Sequence, residues 1–167
     1  MPPSPSPPSE GNVTQSLRAF RAAVGAAGAV LGVDPGAKRI GLAVCDQNRL
    51  IASPLETISR SRFADDALRL WTAFDSRACV GVVIGLPLDM SGREGPAAQS
   101  VRAFARNLSR LRPAPMLLWD ERLSTAAVVR AMIDADVTRA KRAREVDRLA
   151  AAYMLQGAMD ALRTLTD

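Results

Sequence analysis

The run "ACVGVVIGLP", residues 78–87, constrains the fold more than any other feature of the chain. It carries no charge, is rich in Val and Ile, and closes on Gly-Leu-Pro. A strand that alternates polar and apolar side chains can face water on one side, whereas an unbroken apolar strand needs cover on both faces. The chain must therefore build a sheet with helices on its two sides, and the remaining segments supply the parts. Residues 29–34 and 39–46 read as two strands joined by a tight turn. Residues 50–58 read as a third strand, which Pro54 confines to a sheet edge because proline gives no ladder donor. A helix is expected over 63–76, with Leu68, Trp71 and Phe74 available to one face. A second helix over 96–111 opens with Pro96 and sets Val101, Phe104, Ala105 and Leu108 at i, i+3, i+4 and i+7. "MLLWD" (116–120) is a fifth strand, 124–134 a helix capped by Ser124 or Thr125, and 145–164 a last helix. A three-strand meander followed by alternating helices and strands predicts an α/β fold around a mixed sheet.

With 167 residues, 48% of them hydrophobic, the chain suits one compact domain better than two. That domain is expected over 29–167. The Pro/Ser-rich start "MPPSPSPPS" reads as an extended tail, and 12–28 as a short helix with Leu17, Phe20, Arg21 and Val24 at helical spacing, both outside the domain. No apolar stretch is long enough to span a membrane, and the start lacks a basic region followed by an apolar one. A cytoplasmic protein with no membrane partner is expected. The net charge of +5 favours a polyanionic partner such as nucleic acid. Aromatic residues make up only 4% of the chain, so contact should rest on phosphates and shape, with little base stacking. Histidine is absent, which excludes imidazole bases, Ser-His-Asp and Cys-His catalysis and histidine zinc sites, and two cysteines cannot form a four-thiolate site. Cys45 and Cys79 sit in apolar runs and read as buried thiols.

The chemistry left to such a chain belongs to its acids. Asp34 ends the first strand, Gly85-Leu86-Pro87 the fourth, and Asp120-Glu121 the fifth. Ligands of open α/β sheets gather outside the carboxyl ends of parallel strands, so parallel running would converge these residues on one crevice. On the last helix, Val146, Ala150, Tyr153, Met154, Gly157, Ala158 and Ala161 form an apolar arc, and Asp147 falls inside it. An inward acid in a first turn gains about 0.3–1 kcal/mol from the helix dipole. Burying an uncompensated carboxylate costs more, which points to a bound cation. Carboxylates from several elements suit a hard ion such as Mg²⁺ and leave positions for water and phosphate oxygens.

The segments "GVDPGAKRIGLAV", "ASPLETI", "VIGLPLDMSGREGP", "DERLST" and "VDRLAAAYMLQGAMD" resemble, in order and spacing, the YqgF/RuvX family of RNase H-like proteins, associated with pre-16S rRNA processing and Holliday-junction resolution. The likeness spans about residues 29–163. It implies an RNase H-like five-stranded mixed sheet in order 3-2-1-4-5, strand 2 antiparallel, flanked by helices. It also implies a metal-dependent nuclease in which Asp34, Glu121 and Asp147 bind two divalent ions, Mg²⁺ or Mn²⁺, with Asp34 bridging both. The expected substrate is pre-16S rRNA, its 5′ end trimmed in a ribosomal small-subunit precursor. Branched DNA is the alternative, and the protein would be a monomer or a weak homodimer.

Basic and glycine residues near the acids keep two readings each. Gly36 would let the chain turn close to substrate, and Lys38 or Arg39 could hold a phosphate or be ordinary exposed turn residues. Gly85 and the loop 89–96, with Gly92, could accept a phosphate on backbone N–H groups or simply reverse the chain. Arg122 could pair with a neighbouring acid or with a phosphate. The segment 134–145, with Arg139, Lys141, Arg142 and Arg144, reads as a solvated loop or as one that closes over nucleic acid. Two other classes compete. "DPGAKRIGLAV" also resembles the first phosphate loop of sugar and acetate kinases, but the second domain and second Asp-Gly loop of those enzymes are missing. A noncatalytic nucleic-acid-binding protein of the same fold is the other.

Overall fold

The computed structural model describes residues 12–123 and 139–166, the side chains of 139–144 excepted. The elements are β1 (Val13–Thr14), α1 (Leu17–Val24), β2 (Ala29–Pro35), β3 (Arg39–Cys45), β4 (Ala52–Ser59), α2 (Phe63–Ser76), β5 (Cys79–Leu86), α3 (Pro96–Leu111), β6 (Met116–Asp120), one 3₁₀ turn (Glu121–Leu123) and α4 (Arg139–Thr164). They build one mixed sheet in the order β1-β6-β5-β2-β3-β4. The β1–β6, β6–β5 and β5–β2 pairs are parallel, and the β2–β3 and β3–β4 pairs are antiparallel.

The unbroken apolar run of β5 lies between β2 and β6, and alternate residues go to different layers. Val82, Ile84 and Leu86 pack with Leu70, Trp71 and Phe74 of α2 and Val101, Phe104 and Leu108 of α3. Val83 packs on the opposite side with Phe20 and Val24 of α1 and Ala151, Met154 and Leu155 of α4. Strand β2 divides in the same way, Leu31 and Val33 to the first layer and Val30 to the second. Both cysteines are buried and free, and burial pushes the Cys79 thiol up to about 12.

The expected order 3-2-1-4-5 is present in β4-β3-β2-β5-β6, with Pro54 on the edge strand, and a sixth strand extends it. Val13 and Thr14 pair with Met116 and Leu117, too short a run to show an alternating pattern in sequence. Ser16 then caps α1 through its Oγ, which accepts from the Ala19 amide at 3.2 Å. The far end of α1 is closed by an unforeseen residue, Arg49, which is 4% exposed. Its guanidinium donates to the carbonyls of Val24, Gly25 and Gly28 at 3.0, 2.7 and 2.8 Å. The segment expected outside the domain therefore packs into it from Val13 onward.

Two further expectations change. The backbone is helical from Arg139, so the residues at 139–145 are the beginning of α4 and no loop. Tyr153, placed in the apolar arc, is exposed, while Val146, Ala150, Met154 and Ala158 are buried as expected. The helix expected over 124–134, with its caps Ser124 and Thr125, and the segment 134–138 lie outside the described residues. Among the described residues no helix is long and apolar enough to cross a membrane.

Candidate functional site

Asp34 is the deepest acid of the three singled out, 5% exposed near the end of β2. Alternation along β2 aims it, like Val30 and Gly32, at α4, where the Cβ that Gly32 lacks would meet Leu155. Across the β2–β3 hairpin Asp34 pairs with Gly41. On its other side the parallel register joins Val33 to Ile84, so the next step along sets Gly85 beside it. The aspartate thus has a glycine on each flanking strand, and each glycine makes room for another acid. A Cβ on Gly85 would stand 2.5 Å from Oε1 of Glu121. A Cβ on Gly41 would overlap the carbonyl oxygen of Asp147 and stand 2.6 Å from its carbonyl carbon.

Glu121 and Asp147 reach these seats from different elements. Strand β6 ends at Asp120, paired in register with Leu86, and the 3₁₀ turn that follows carries Glu121 back over Gly85. Loss of water, and then the charge of Asp120, push the Glu121 carboxyl above the usual range. Asp120 is held in the opposite direction. Arg122 donates to it through its backbone N–H and through Nε and Nη2, the closest contact at 2.7 Å, and keeps it below the ordinary carboxylate range. Of the two acids at the end of β6, only Glu121 leans over the centre of the sheet. Asp147 sits on α4 one residue after buried Val146, and its Oδ2 accepts from Arg39 Nε at 2.8 Å.

The donor set fits a hard divalent cation in kind, since all three groups are carboxylates, and they share one face and one end of the sheet. It is not drawn together as a finished chelate. Among the described residues no three acidic or thiol side chains stand close enough together to hold an ion, and Asp147 is engaged by Arg39.

The two loops expected to meet phosphate make hydrogen bonds of their own. The Gly36 amide donates to the Arg39 carbonyl at 2.8 Å and closes the hairpin turn, while the Gly36 carbonyl accepts from Arg60 Nη1 at 2.7 Å. In the loop after β5, Oδ1 of Asp89 accepts from the amides of Ser91 and Arg93 at 2.9 and 2.8 Å, and the Gly92 amide donates to the Asp89 carbonyl at 3.0 Å. Those donors face inward. Gly92 has φ +84° and lies against the Arg122 guanidinium. Gly85 leaves the space that Glu121 occupies. Lys38 is exposed at the hairpin tip; Arg122 has taken the neighbouring acid; the side chains of Arg139, Lys141, Arg142 and Arg144 lie outside the description. Gly41 was missed in the sequence, although pairing outward from the 36–39 turn sets it directly opposite Asp34.

A family model described as "RuvX: Holliday junction resolvase" matches residues 28–161. The chain belongs to the RuvX family. Curated relatives of this RuvX chain include proteins of Cereibacter sphaeroides, 52% identical over 90% of this chain and 94% of the relative, and of Paracoccus denitrificans, 51% identical over 92% and 97%. A Rhodopseudomonas palustris protein is 56% identical over 84% and 88%. All three bear the name "Putative pre-16S rRNA nuclease". Among solved structures, Thermus thermophilus RuvC in complex with a Holliday junction substrate matches with a TM-score of 0.51 at 19% identity, covering 81% of this chain and 96% of RuvC. At that identity the likeness is one of fold, and the RuvX chain has an RNase H-like α/β architecture.

Proposed function

We propose that this RuvX chain is an endonuclease that hydrolyses phosphodiester bonds in structured RNA, with the 5′ end of pre-16S rRNA in a ribosomal small-subunit precursor as its substrate. The observation that carries the reading is the seating of Asp34 between Gly41 and Gly85, with Asp147 and Glu121 occupying the space the two glycines leave. Relatives about half identical over nearly their whole length bear the nuclease name, which supports the choice of substrate. A cytoplasmic location accords with it.

In this reading Asp34, Glu121 and Asp147 hold two divalent ions, Mg²⁺ or Mn²⁺. Such ions, when bound, supply Lewis-acid stabilisation to the phosphodiester and lower the pKa of the attacking water. The chain's own part is placement. Asp34 is fixed by pairing on both sides of a central strand, Glu121 is kept out of bulk water, and Asp147 is brought by a helix packed on the same face. With no histidine in the sequence, no imidazole is available to take a proton. Lys38, exposed at the hairpin tip, and Arg39 supply positive charge beside the acids for the backbone of a polyanion.

The test is cleavage by pure protein of labelled pre-16S rRNA and of a synthetic four-way junction, with Mg²⁺ or Mn²⁺, beside Asp34→Asn and beside chelator. Wild type should cut the RNA. Asp34→Asn should bind it equally and cut at least about 100-fold more slowly, because even outer partners of metal ligands are worth about 10–100-fold. Cutting of the junction alone would move the substrate to branched DNA. Binding without cutting of either would leave a noncatalytic binding protein, and equal cutting by Asp34→Asn would place the reaction elsewhere.

A further inference from the structure

We propose that Arg39 is a stand-in cation for Asp147: it holds that carboxylate while the site lacks divalent ions, and it passes to a substrate phosphate when Asp147 takes an ion. The inference rests on the reading of Asp34, Glu121 and Asp147 as ion ligands. Arg39 opens β3 two residues before Gly41, so strand alternation gives both the same face, the one on which the Asp147 backbone lies. From there Arg39 Nε donates to Asp147 Oδ2 at 2.8 Å.

Two Arg–Asp pairs stand at this end of the sheet, and they differ in how completely they are closed. Arg122 grips Asp120 with both Nε and Nη2, a fork that uses both carboxylate oxygens. Arg39 uses Nε alone. Among the described residues its two terminal nitrogens have no hydrogen-bond partner, and neither has Oδ1 of Asp147. The Arg39 side chain is 35% exposed and that of Asp147 21%, so the pair is partly open to solvent. A planar group with its outer donors free matches the oxygens of a phosphate.

A guanidinium keeps its charge at any working pH, so it cannot yield Asp147 by losing a proton. As the carboxylate takes up a dication, the negative charge that holds Arg39 is neutralised, and the partly exposed position of Arg39 lets it leave at little cost. Exposed ion pairs of this kind shift a competing equilibrium by about two- to fivefold. If Arg39 were only a strap tying β3 to α4, its removal would loosen the seat of Asp147 and weaken ion binding. The stand-in role predicts the opposite sign.

The experiment is isothermal titration of full-length wild type, Arg39→Lys and Arg39→Gln with Mg²⁺ and with Mn²⁺, together with the arginine Nε–H resonance of Arg39, assigned by its loss in Arg39→Lys. Arg39→Gln should bind both ions about two- to fivefold more tightly than wild type, and Arg39→Lys, which keeps the charge, should stay within about twofold. The Nε–H resonance should shift in step with Mg²⁺ occupancy. Unchanged or weaker ion binding by Arg39→Gln, or a resonance unmoved at Mg²⁺ saturation, overturns the proposal. If wild type binds and cuts while Arg39→Gln gains no affinity, only the role of Arg39 falls; if wild type binds neither ion, the reading of the three acids falls with it.

Discussion

Replacing Gly85 by alanine should separate the position of Glu121 from the stability of the fold. Gly85 has no positive φ, so alanine fits its backbone, and the exchange of glycine for alanine restricts the unfolded chain by about 0.4–1 kcal/mol in favour of the folded state. The added Cβ would lie 2.5 Å from Oε1 of Glu121 and 3.2 Å from its Cδ and Cγ. Ordinary contact begins at 3.4 Å, so the carboxylate must retreat by about 1 Å. The atoms met are the far end of a flexible side chain and not backbone, which keeps the net change in stability within about 1 kcal/mol, or about 2–4 °C in Tm. A reacting group displaced by 1 Å can lose about 100-fold in rate. Gly41→Ala is the contrasting control. There the new methyl group presses on the backbone of α4 at Asp147, which cannot swing aside, and the overpacking should cost about 1–3 kcal/mol as well as activity. The assay pairs single-turnover cleavage of pre-16S rRNA at saturating Mg²⁺ with scanning calorimetry of each variant. Cleavage by Gly85→Ala within threefold of wild type, or a rate loss accompanied by a fall in Tm as large as that of Gly41→Ala, refutes the idea that Gly85 exists to seat Glu121.

Two predictions concern the end of the sheet far from the acids. Arg49→Ala removes the donor to three carbonyls around the end of α1, and at about 1–3 kcal/mol for each acceptor left dry it should lower urea-unfolding stability by at least about 3 kcal/mol; a loss under 0.5 kcal/mol would show that water replaces it. Asp46 accepts from the amides of Ile51, Leu50 and Asn48 in the β3–β4 turn, and these bonds, that to Ile51 foremost, hold its carboxyl below the ordinary range. A depressed folded-state pKa means stability that is present above the unfolded value, about 3.9 for aspartate, and is lost as pH falls through the folded one. The Tm difference between wild type and Asp46→Asn should therefore be constant from pH 7 to 5 and shrink toward pH 3, and a difference independent of pH would refute the assignment.

Where the sequence was legible, a physical period made it so. Strand β5 could be read because an apolar run of that length has one use, and α3 because Pro96 and the 3.6-residue spacing of its apolar side chains agree. Strand β1 has two residues and no period, and it exists because the β6 edge accepts it. Nothing local to Arg49 shows that its donors meet the end of a distant helix. The basic beginning of α4 hid its helix for the converse reason, charge at every turn position giving no apolar face to detect. At the site, the three acids could be found from strand ends and a helical arc, and Gly41 from the register of the hairpin, whereas the seating of Glu121 over Gly85 and the Arg39–Asp147 bond depend on contacts between elements distant in the chain, which a linear reading does not supply.

The three acids also differ in how freely they can adjust, and this orders the effects of distant changes. Asp34 is fixed by two neighbouring strands, with Gly41 paired across from it and Gly85 one step past the Val33–Ile84 pair. Glu121 rides on a short turn whose end is tied by Arg122 to Asp120. Asp147 depends on where a helix of 26 residues lies against the sheet. Two glycines on adjacent strands set that helix: Gly41 beneath Asp147, and Gly32 beneath Leu155, two turns farther along and about 12 Å away. Between and beyond these contacts Ala150, Ala151, Met154 and Ala158 are buried in the same layer, so the helix is held along its length. Perturbations that reach α4, through its packing on β3 or through Arg39, thus act on Asp147 while Asp34 stays in place. Asp34 therefore answers to strand pairing and Asp147 to the packing of a helix, two different structural origins for acids of one site.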